Sequence, residues 1–480
     1  MTGTMYWVDM VFGLFEGWWF FDDGRRHAVV DEHRWEQDLR AVGYGHVDWT
    51  DGHRAENRVE RLIMAMASGE PCERLPLAPS GPPPSATALQ QKFVDKYVQQ
   101  YMEGFMASIE PLPRLDPLRN SGRDARDGHC VLDFGATGSL GSFLVAHLAR
   151  LPEVAKVVCL NRNGRRDARQ RQEEALTKKG VTLSAEELRK LTVFEGDLSK
   201  ARFGLSLDSY QSLVTDVTHI VHSAWLMNAK LPIRSFEPQM QTMRNMLNLA
   251  REGSNQERQV TFQFVSSIAT AGHWPLWTGQ KCVPETAMTL PSVLNSGYAE
   301  AKYICKLMVD ELHKHPDRFR PMVVRPGQIV GSSTSGFWNP AEHLAFLVKS
   351  SHTLGALPEL EGVMSWTPVD TAAAALSDLL LLSADQTPHR YYHIDNPIRQ
   401  PWSAVLPVLA DALGIPHARG IVPFADWLRL VKGYPSTGPD GPNPALVLVD
   451  FLKDHFIRMS CGGVLLGTAN IRQHSPALAS

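Results

Sequence analysis

The pattern of hydrophobic and polar positions changes near residue 130. From Cys130 onward, short apolar runs of strand length alternate with longer stretches in which apolar residues recur every three or four positions. This alternation predicts a parallel sheet covered by helices on both faces. The predicted strands begin, in chain order, at Cys130, Lys156, Leu191, Thr218, Phe262, Pro321 and Tyr391.

Two helical stretches frame the fifth predicted strand, one from Phe236 to Arg251 and one from Tyr298 to His313. Beyond Pro397 the pattern turns helical and is interrupted by proline and glycine, which suits a smaller cap that also receives part of 334–366. We therefore predict an α/β fold: a doubly wound, parallel Rossmann-type sheet with a smaller, mainly helical C-terminal substrate-binding subdomain.

The residues before this region follow a different pattern. One stretch places apolar residues at helical spacing, namely Trp35, Leu39 and Val42, and two strand-like runs follow at His46–Trp49 and Val59–Ala65. A proline-rich stretch, 70–85, predicts a stiff linker, and Ala86–Met106 reads as an amphipathic helix. The predicted segments are an N-terminal unit (1–69), a linker with its leading helix (70–127), a Rossmann domain (128–396) and a helical cap (397–480).

Composition narrows the class of protein. The chain has 480 residues, 44% hydrophobic and 21% charged, which is ordinary for a globular protein with a large core. A formal net charge of −3 without a long basic run argues against nucleic-acid binding. Six cysteines without C-x-x-C pairs favour reduced thiols in the cytoplasm and no metal site, and the most apolar run, Met10–Phe21, is broken by Glu16, which argues against a membrane span.

The glycines after the first predicted strand are the first candidate for chemistry. Gly135, Gly138 and Gly141 form a G-x-x-G-x-x-G turn that leads directly into a helix-forming run. Glycine lets a backbone approach a ligand closely, and a helix N-terminus presents unpaired N–H groups to a phosphate. The stretch therefore predicts a site for a dinucleotide pyrophosphate, although such glycines also occur in simple turns.

The turn after the second strand bears on the choice of cofactor. It reads Asn161-Arg162-Asn163-Gly164-Arg165-Arg166 and has no acid at the strand's end. A site that prefers NADH usually places an acid there for the ribose 2′-hydroxyl, whereas a guanidinium suits the 2′-phosphate of NADPH. Arg162, which directly follows the strand, therefore predicts a preference for NADPH.

Three further side chains predict reduction chemistry. Tyr298 and Lys302 form Y-x-x-x-K, a spacing that puts both on one face of a helix. A cation beside a phenol lowers the phenol's pKa, which would make Tyr298 a proton donor or acceptor. Ser267 follows the fifth strand and could steady a developing oxyanion. A surface Tyr/Lys pair and a turn serine are the alternatives for each motif alone, and their order after the glycine turn favours the chemistry.

At this point the chain from Cys130 resembles an extended short-chain dehydrogenase/reductase, specifically the thioester reductase domain that ends some polyketide and nonribosomal peptide synthases. The matching stretches are 135–141, Cys159–Arg162, Gly196–Leu198, His222–Trp225, Arg325–Gln328 and Trp366–Asp370. Residues 1–69 resemble the tail of a C-methyltransferase domain. This narrows the resemblance to fungal non-reducing polyketide synthases in which a methyltransferase precedes a reductase.

The resemblance implies a function and a set of site residues. The function is reductive release, with NADPH, of a polyketide thioester from the phosphopantetheine arm of an acyl carrier protein, as an aldehyde, alongside other synthase domains. Implied catalytic residues are Ser267, Tyr298 and Lys302. Implied cofactor-binding residues are Gly135, Thr137, Gly138, Ser139, Leu140 and Gly141 for the pyrophosphate, Arg162 and Arg171 for the 2′-phosphate, Asp197 and Leu198 for the adenine, and Pro326, Gly327 and Gln328 beside the nicotinamide.

The chain departs from the family pattern in three places. Asp133-Phe134 stands where an apolar residue and a threonine are usual, Ser223 replaces a common asparagine, and the sequence ends somewhat before the usual end. With a start inside a methyltransferase, this suggests a fragment of a longer protein. Three other functions stay open: an extended reductase or epimerase acting on a free small molecule, a non-redox cyclising variant, and a regulatory NADP-binding protein.

Overall fold

The structure, a computed structural model, describes residues 32–42, 44–49, 63–67, 86–105, 128–228, 231–255, 258–383, 385–435 and 443–479. The chain divides into two units, Met1–Pro83 and Pro84–Ser480. In the first unit, a helix at Glu32–Ala41 precedes antiparallel strands at Tyr44–Trp49 and Ile63–Ala67. The apolar run Met10–Phe21 and the predicted proline-rich linker lie outside the described residues.

A seven-stranded sheet dominates the second unit. Its strands are β1 (His129–Phe134), β2 (Val154–Arg162), β3 (Leu191–Gly196), β4 (His219–His222), β5 (Val260–Val265), β6 (Phe319–Pro326) and β7 (Tyr391–Ile394). All pairings are parallel, in the order β7-β6-β5-β4-β1-β2-β3. Each strand predicted from the sequence is present. The doubly wound Rossmann-type sheet is confirmed, with its order reversing between β1 and β4.

Helices cover both faces of the sheet. The main ones are α1 (Ser139–Arg150), α2 (Ala168–Thr177), α3 (Leu207–Asp216), α4 (Glu237–Gly253), α5 (Gly297–Asp310), α6 (His343–Leu354), α7 (Val369–Leu380), α8 (Trp402–Leu413) and α9 (Phe424–Gly433). Along β1, Leu132 and Phe134 join the core under α4 and α5, whereas Val131 joins the core under α1 and α7. This alternation of buried side chains on both faces is what a covered parallel strand requires.

The leading helix, Ala86–Met102, packs on the same face as α4 and α5. Its Tyr97 hydroxyl donates to Glu237 Oε1 at 2.8 Å, and Arg244 Nη1 donates to the Tyr101 carbonyl at 2.6 Å. The helix is therefore part of the unit that carries the sheet.

A smaller helical core forms the predicted cap. It joins α6, α8 and α9 around the fully buried Trp402 and Trp427, whose indole N–H groups donate to the carbonyls of Ser460 and Ala356. The last described segment differs from the predicted boundary of 397–480, because residues 464–479 return to the sheet side. There Leu465–Leu466 pairs with Cys282–Val283, and Ile471 packs in the core under α7. Among the described residues, no helix is long and apolar enough to cross a membrane.

A buried polar cluster attaches this returning segment to β6 and β7. Arg325 Nη1 lies 2.8 Å from His393 Nε2, and His393 Nδ1 lies 2.8 Å from the Gly467 carbonyl oxygen. Burial lowers the pKa of His393 well below its usual value, so the ring is neutral. Because Arg325 can only donate, Nε2 accepts and the Nδ1 proton points at Gly467.

Asp133 is a charged residue type in the middle of β1. It is fully buried, and its Oδ1 accepts a hydrogen bond from the Ser223 hydroxyl at 3.2 Å. Its Oδ2 is buried without a partner among the described residues. The two unusual residues noted in the sequence therefore contact each other. Burial raises the pKa of Asp133 to about 7, and the Ser223 hydrogen bond opposes that rise.

The raised pKa of Asp133 predicts a pH-dependent cost in stability. Because the folded-state pKa lies above the ordinary value of about 3.9, the stability that this proton supplies is complete below pH ~4 and is lost as the pH rises through about 7. Asp133→Val removes the titrating group at similar volume. Relative to wild type, its free energy of unfolding should increase by about 2–3 kcal/mol between pH 5 and pH 8, measured by urea unfolding.

Asp208→Asn is the control for this measurement. Asp208 is an exposed acid in the first turn of α3. Its substitution should leave the difference from wild type nearly the same at both pH values. A constant difference for Asp133→Val as well would show that the buried carboxyl does not titrate in this range.

Candidate functional site

The glycine turn lies where the sheet order reverses, between the ends of β1 and β4. Gly135 has φ of +135°, and a Cβ there would overlap the Ser223 hydroxyl oxygen. A Cβ at Gly141 would overlap the Gly135 carbonyl oxygen. These two positions therefore require glycine. The backbone folds back on itself, with Gly138 N–H donating to the Gly135 carbonyl at 2.7 Å.

The first turn of α1 presents backbone donors beside these glycines. Its N-cap is Gly138, and no side chain caps it. The turn is braced from α2 and the residues after it, because Gln172 Nε2 donates to the Ala136 carbonyl at 3.0 Å and Lys179 Nζ to the Thr137 carbonyl at 3.1 Å. The predicted pyrophosphate residues 135 and 137–141 thus lie together in the glycine turn and the first turn of α1. An uncapped helix N-terminus beside a glycine turn suits a phosphate.

The arginine turn, Asn161 to Arg166, begins with the last two residues of β2 and lies along the same edge of the sheet as the glycine turn. Arg162 is exposed and is the last residue of β2, whereas the sequence pattern placed it just after the strand. Arg171, which was also predicted to hold the 2′-phosphate, lies beside Arg162 and Glu195. Its Nη2 donates to the Arg162 carbonyl at 2.9 Å and to Glu195 Oε1 at 2.7 Å, so its guanidinium is already engaged by the protein.

The predicted adenine residues lie just after β3. Asp197 Oδ1 accepts hydrogen bonds from the backbone N–H of Ser199 at 3.1 Å and from its hydroxyl at 2.7 Å. These hydrogen bonds lower the pKa of Asp197. The carbonyl of Leu198 accepts from Asn245 Nδ2 at 2.9 Å, which ties this loop to α4. The carboxylate itself therefore shapes its own loop.

Ser267 lies just after the end of β5, and Tyr298 lies at the start of α5. Their side chains come together there. Hydrogen bonding with the Ser267 side chain lowers the pKa of Tyr298, but burial raises it more, and the net direction is upward. The Tyr298 ring lies edge-on to Trp225 and to Phe236, with centroids 6.4 Å apart in both pairs. The serine and tyrosine hydroxyls thus share one site behind an aromatic wall.

Lys302 lies one turn further along α5 and is 2% exposed. Its Nζ donates to the Val265 carbonyl at 2.6 Å and sits 3.9 Å from the centroid of the Trp225 ring. Phe264 lies 4.9 Å away on the same cation. Burial lowers the pKa of Lys302 to about 7.

These contacts correct one expectation. The sequence predicted that Lys302 would lower the pKa of Tyr298, whereas the pKa of Tyr298 is raised. Desolvation acts on both groups, and the lysine ammonium is engaged by Val265 and the indole face instead. The tyrosine therefore remains a neutral phenol that can donate its proton.

The predicted nicotinamide residues form the rim where the cap meets the sheet. The Gly327 N–H donates to the Ile394 carbonyl at 2.8 Å, and the Gln328 carbonyl accepts from Thr367 N–H at 2.9 Å. A Cβ at Gly327 would overlap Asp395 Oδ1. Burial raises the pKa of Asp395 to about 7. At this rim the backbone of Gly327 comes close to the Asp395 carboxyl, and the absence of a side chain at Gly327 allows this.

Several residues of this site were not found by motif reasoning. They are Trp225, Phe264, Gln172, Glu195 and Asp395. Each acts through a contact between residues distant in sequence, so its own neighbours carry no signal. Trp225 was noted only as part of a matching stretch, and its contact with Lys302 joins residues 77 positions apart. Among the described residues, no group of three or more His, Cys, Asp or Glu could hold a metal ion.

Known proteins resemble the chain over its whole length. It is 57% identical over 486 residues to a non-reducing polyketide synthase of Emericella nidulans and 48% identical over 504 residues to 3-methylorcinaldehyde synthase of a Phoma species. Both matches cover 100% of this chain but only 18% and 19% of the relatives. The chain thus corresponds to about a fifth of these relatives, and the predicted resemblance to fungal non-reducing polyketide synthases is confirmed.

Solved structures support the fold. The terminal R domain of the myxalamid pathway has a TM-score of 0.63 at 22% identity, covering 80% of this chain and 92% of that one. The PhqB reductase domain of Penicillium fellutanum has a TM-score of 0.56 at 17% identity, covering 81% and 91%.

A family model for an NAD-binding domain, described as male sterility protein, matches residues 134–376. The match begins at the end of β1 and reaches α7, so it contains the glycine turn, the arginine turn and the Ser/Tyr/Lys set. The chain therefore belongs to the male sterility protein family of NAD-binding domains.

Proposed function

We propose that the chain catalyses NADPH-dependent reductive release of a carrier-bound polyketide thioester as an aldehyde. The observation that carries this proposal is the pairing of the Ser267 and Tyr298 hydroxyls, with Tyr298 as a neutral phenol, at the sheet edge that also holds the glycine turn. Two neutral hydroxyl groups that lie within hydrogen-bond reach of each other can both donate to an oxygen that becomes negative during reaction.

The residues present fit a dinucleotide. Gly135 and Gly141 leave no room for side chains, the N-terminus of α1 is uncapped, and Arg162 offers a guanidinium where a ribose phosphate would lie. Residues 135 and 137–141 would hold the pyrophosphate, Asp197 and Leu198 the adenine, and 326–328 the nicotinamide side. A bound NADPH would supply the hydride.

The side chains of the site divide the remaining work. Tyr298 and Ser267 would donate hydrogen bonds to the thioester oxygen, and Tyr298 would then deliver its proton to it. The resulting hemithioacetal loses the carrier thiol and leaves an aldehyde. Lys302, held by Val265 and Trp225, would lie against the cofactor's ribose. The aromatic wall of Trp225 and Phe236 would exclude water, which strengthens these electrostatic interactions.

The relatives support the substrate class and the level of reduction. They are named as non-reducing polyketide synthases, and one relative at 48% identity is named for an aldehyde product. We therefore favour an aldehyde over an alcohol, and an acyl carrier protein as the partner that presents the thioester. A cytoplasmic location and a methyltransferase remnant at 1–69 are further parts of this proposal and rest on the sequence.

Release is tested directly with a carrier-bound aromatic thioester. On incubation of the full chain with NADPH, mass spectrometry should find the aldehyde and a carrier whose phosphopantetheine thiol is free. The corresponding free acid is the control and should be inert. Release of an acid or a cyclised ketone without oxidation of NADPH would contradict the reductase assignment, and turnover of the free small molecule would favour the open alternative.

Tyr298→Phe tests the proton donor. Because the phenol acts on charge that develops in the transition state, its loss should lower kcat by roughly 10²-fold with little effect on cofactor affinity. Tyr303→Phe is a matched control, since Tyr303 is buried on the same helix and packs against Lys306 away from Ser267. Wild-type rates for Tyr298→Phe would rule out the assigned chemistry.

Arg162→Ala tests the choice of cofactor. A charge-assisted hydrogen bond is worth about 1.5–3 kcal/mol, so the KM for NADPH should rise roughly tenfold to a hundredfold while that for NADH stays nearly unchanged. Arg189→Ala is the control. Arg189 is an exposed arginine just before the N-terminal end of β3, far along the strand from Arg162, and its substitution should leave the KM for both cofactors unchanged. An equal rise with both cofactors would assign Arg162 to the fold instead.

A further inference from the structure

One ion pair fixes the arginine turn at both ends and in the middle. Arg171 Nη2 donates to the Arg162 carbonyl at 2.9 Å, and its Nε donates to the Arg166 carbonyl at 3.2 Å. The same Nη2 lies 2.7 Å from Glu195 Oε1. Glu195 Oε1 also accepts the backbone N–H of Gly164. The pair therefore makes hydrogen bonds to the backbone of Arg162, Gly164 and Arg166 in the six-residue turn.

The turn is built closely around this pair. Asn161 and Glu195 are paired in the parallel register of β2 and β3. The backbone of Glu195 therefore lies next to the first residue of the turn. A Cβ at Gly164 would lie 2.8 Å from Arg171 Cζ, so the backbone at Gly164 passes directly over the guanidinium. The Arg171 side chain is only 21% exposed.

Two of the four arginines in and beside the turn are paired with acids, and the other two are not. Arg171 is matched by Glu195, and Arg166 pairs with Glu174 at 2.6 Å. Among the described residues, the exposed side chains of Arg162 and Arg165 make no hydrogen bond or ion pair. Two unmatched guanidinium groups on a fixed turn can bind phosphate oxygens.

We propose that Glu195 and Arg171 are positioning residues for 2′-phosphate recognition, and that Arg162 and Arg165 make the contact. This inference rests on the proposed preference for NADPH. It reassigns Arg171, for which the family resemblance implied direct contact with the phosphate. It also gives an acidic residue a favourable part in binding an anion, because the carboxylate shapes the turn and its own charge is matched by Arg171.

The sign of one substitution separates the two assignments. If Arg171 contacts the phosphate directly, Glu195→Ala removes a competing anion, frees the guanidinium and strengthens binding. If the pair shapes the turn, Glu195→Ala releases the Gly164 N–H and the Arg171 guanidinium, and binding weakens by roughly tenfold, as is common for residues that orient a ligating group.

The experiment is calorimetric titration of the full chain with adenosine 2′,5′-bisphosphate and, separately, with 5′-AMP. Glu195→Ala should weaken the first and leave the second unchanged, which also shows that the adenosine site is still folded. Glu174→Ala is the matched control. It removes an acid paired with an arginine of the same turn but touching no turn backbone, so it should not weaken binding.

The outcomes distinguish this inference from the proposed function. If wild type binds the bisphosphate no better than 5′-AMP, the preference for NADPH fails and this inference falls with it. If wild type prefers the bisphosphate but Glu195→Ala binds it equally well or more tightly, only the positioning pair is wrong. Equal losses for Glu195→Ala and Glu174→Ala would also overturn it, because the loss would then not depend on the contacts that Glu195 alone makes with Gly164 and Arg171.

Discussion

The junction between β1 and β4 is the constraint on which the site depends. The Phe134 carbonyl accepts N–H groups from both Ser223 and Ala224, at 3.0 Å and 2.5 Å, so the two strand ends are held against each other. Gly135 must then leave β1 with a positive φ and without a side chain. One side of this junction becomes the glycine turn. The other becomes the loop that carries Trp225, whose ring contacts Lys302 and Tyr298. Both halves of the site therefore take their positions from one backbone contact.

Desolvation controls the ionisable groups around that junction. Burial raises the pKa of Asp133 and Tyr298 and lowers the pKa of Lys302. In each case it favours the neutral form. The neighbouring His222 is neutral for the same reason, and both its ring nitrogens lack partners among the described residues. Such unsatisfied groups cost stability, and they are found here beside the proposed reaction centre, where an apolar wall strengthens hydrogen bonds to a developing charge.

The sequence was sufficient for whatever depends on local pattern. The seven strands, the helices around β5 and the glycine turn follow from periodicity and from residue types that a short segment requires. The strand β7 begins at Tyr391, as predicted. Contacts between distant residues could not be read in this way. Asp133 and Ser223 each looked anomalous alone, and only the parallel register, which brings Asp133 opposite Val221 on β4, places Ser223 within reach. Arg171 was assigned by motif, but the β2–β3 register puts Glu195 beneath it.

The two ends of the proposed cofactor site work by opposite physical means. At the arginine turn, recognition would rest on exposed guanidinium groups. Glu195 and Arg171 hold the backbone that carries those groups. At the proposed reacting end, Lys302 contacts aromatic rings and a carbonyl, and no carboxylate of the described residues pairs with it. Salt weakens interactions between exposed charges, with a screening length of about 8–10 Å, but acts weakly on buried ones. Ionic strength would therefore alter the affinity and selectivity proposed for the arginine turn, while the hydroxyl pair proposed to act on the substrate oxygen would keep its strength. In this proposal, selection of the cofactor and chemistry on the substrate are separable properties of one sheet edge.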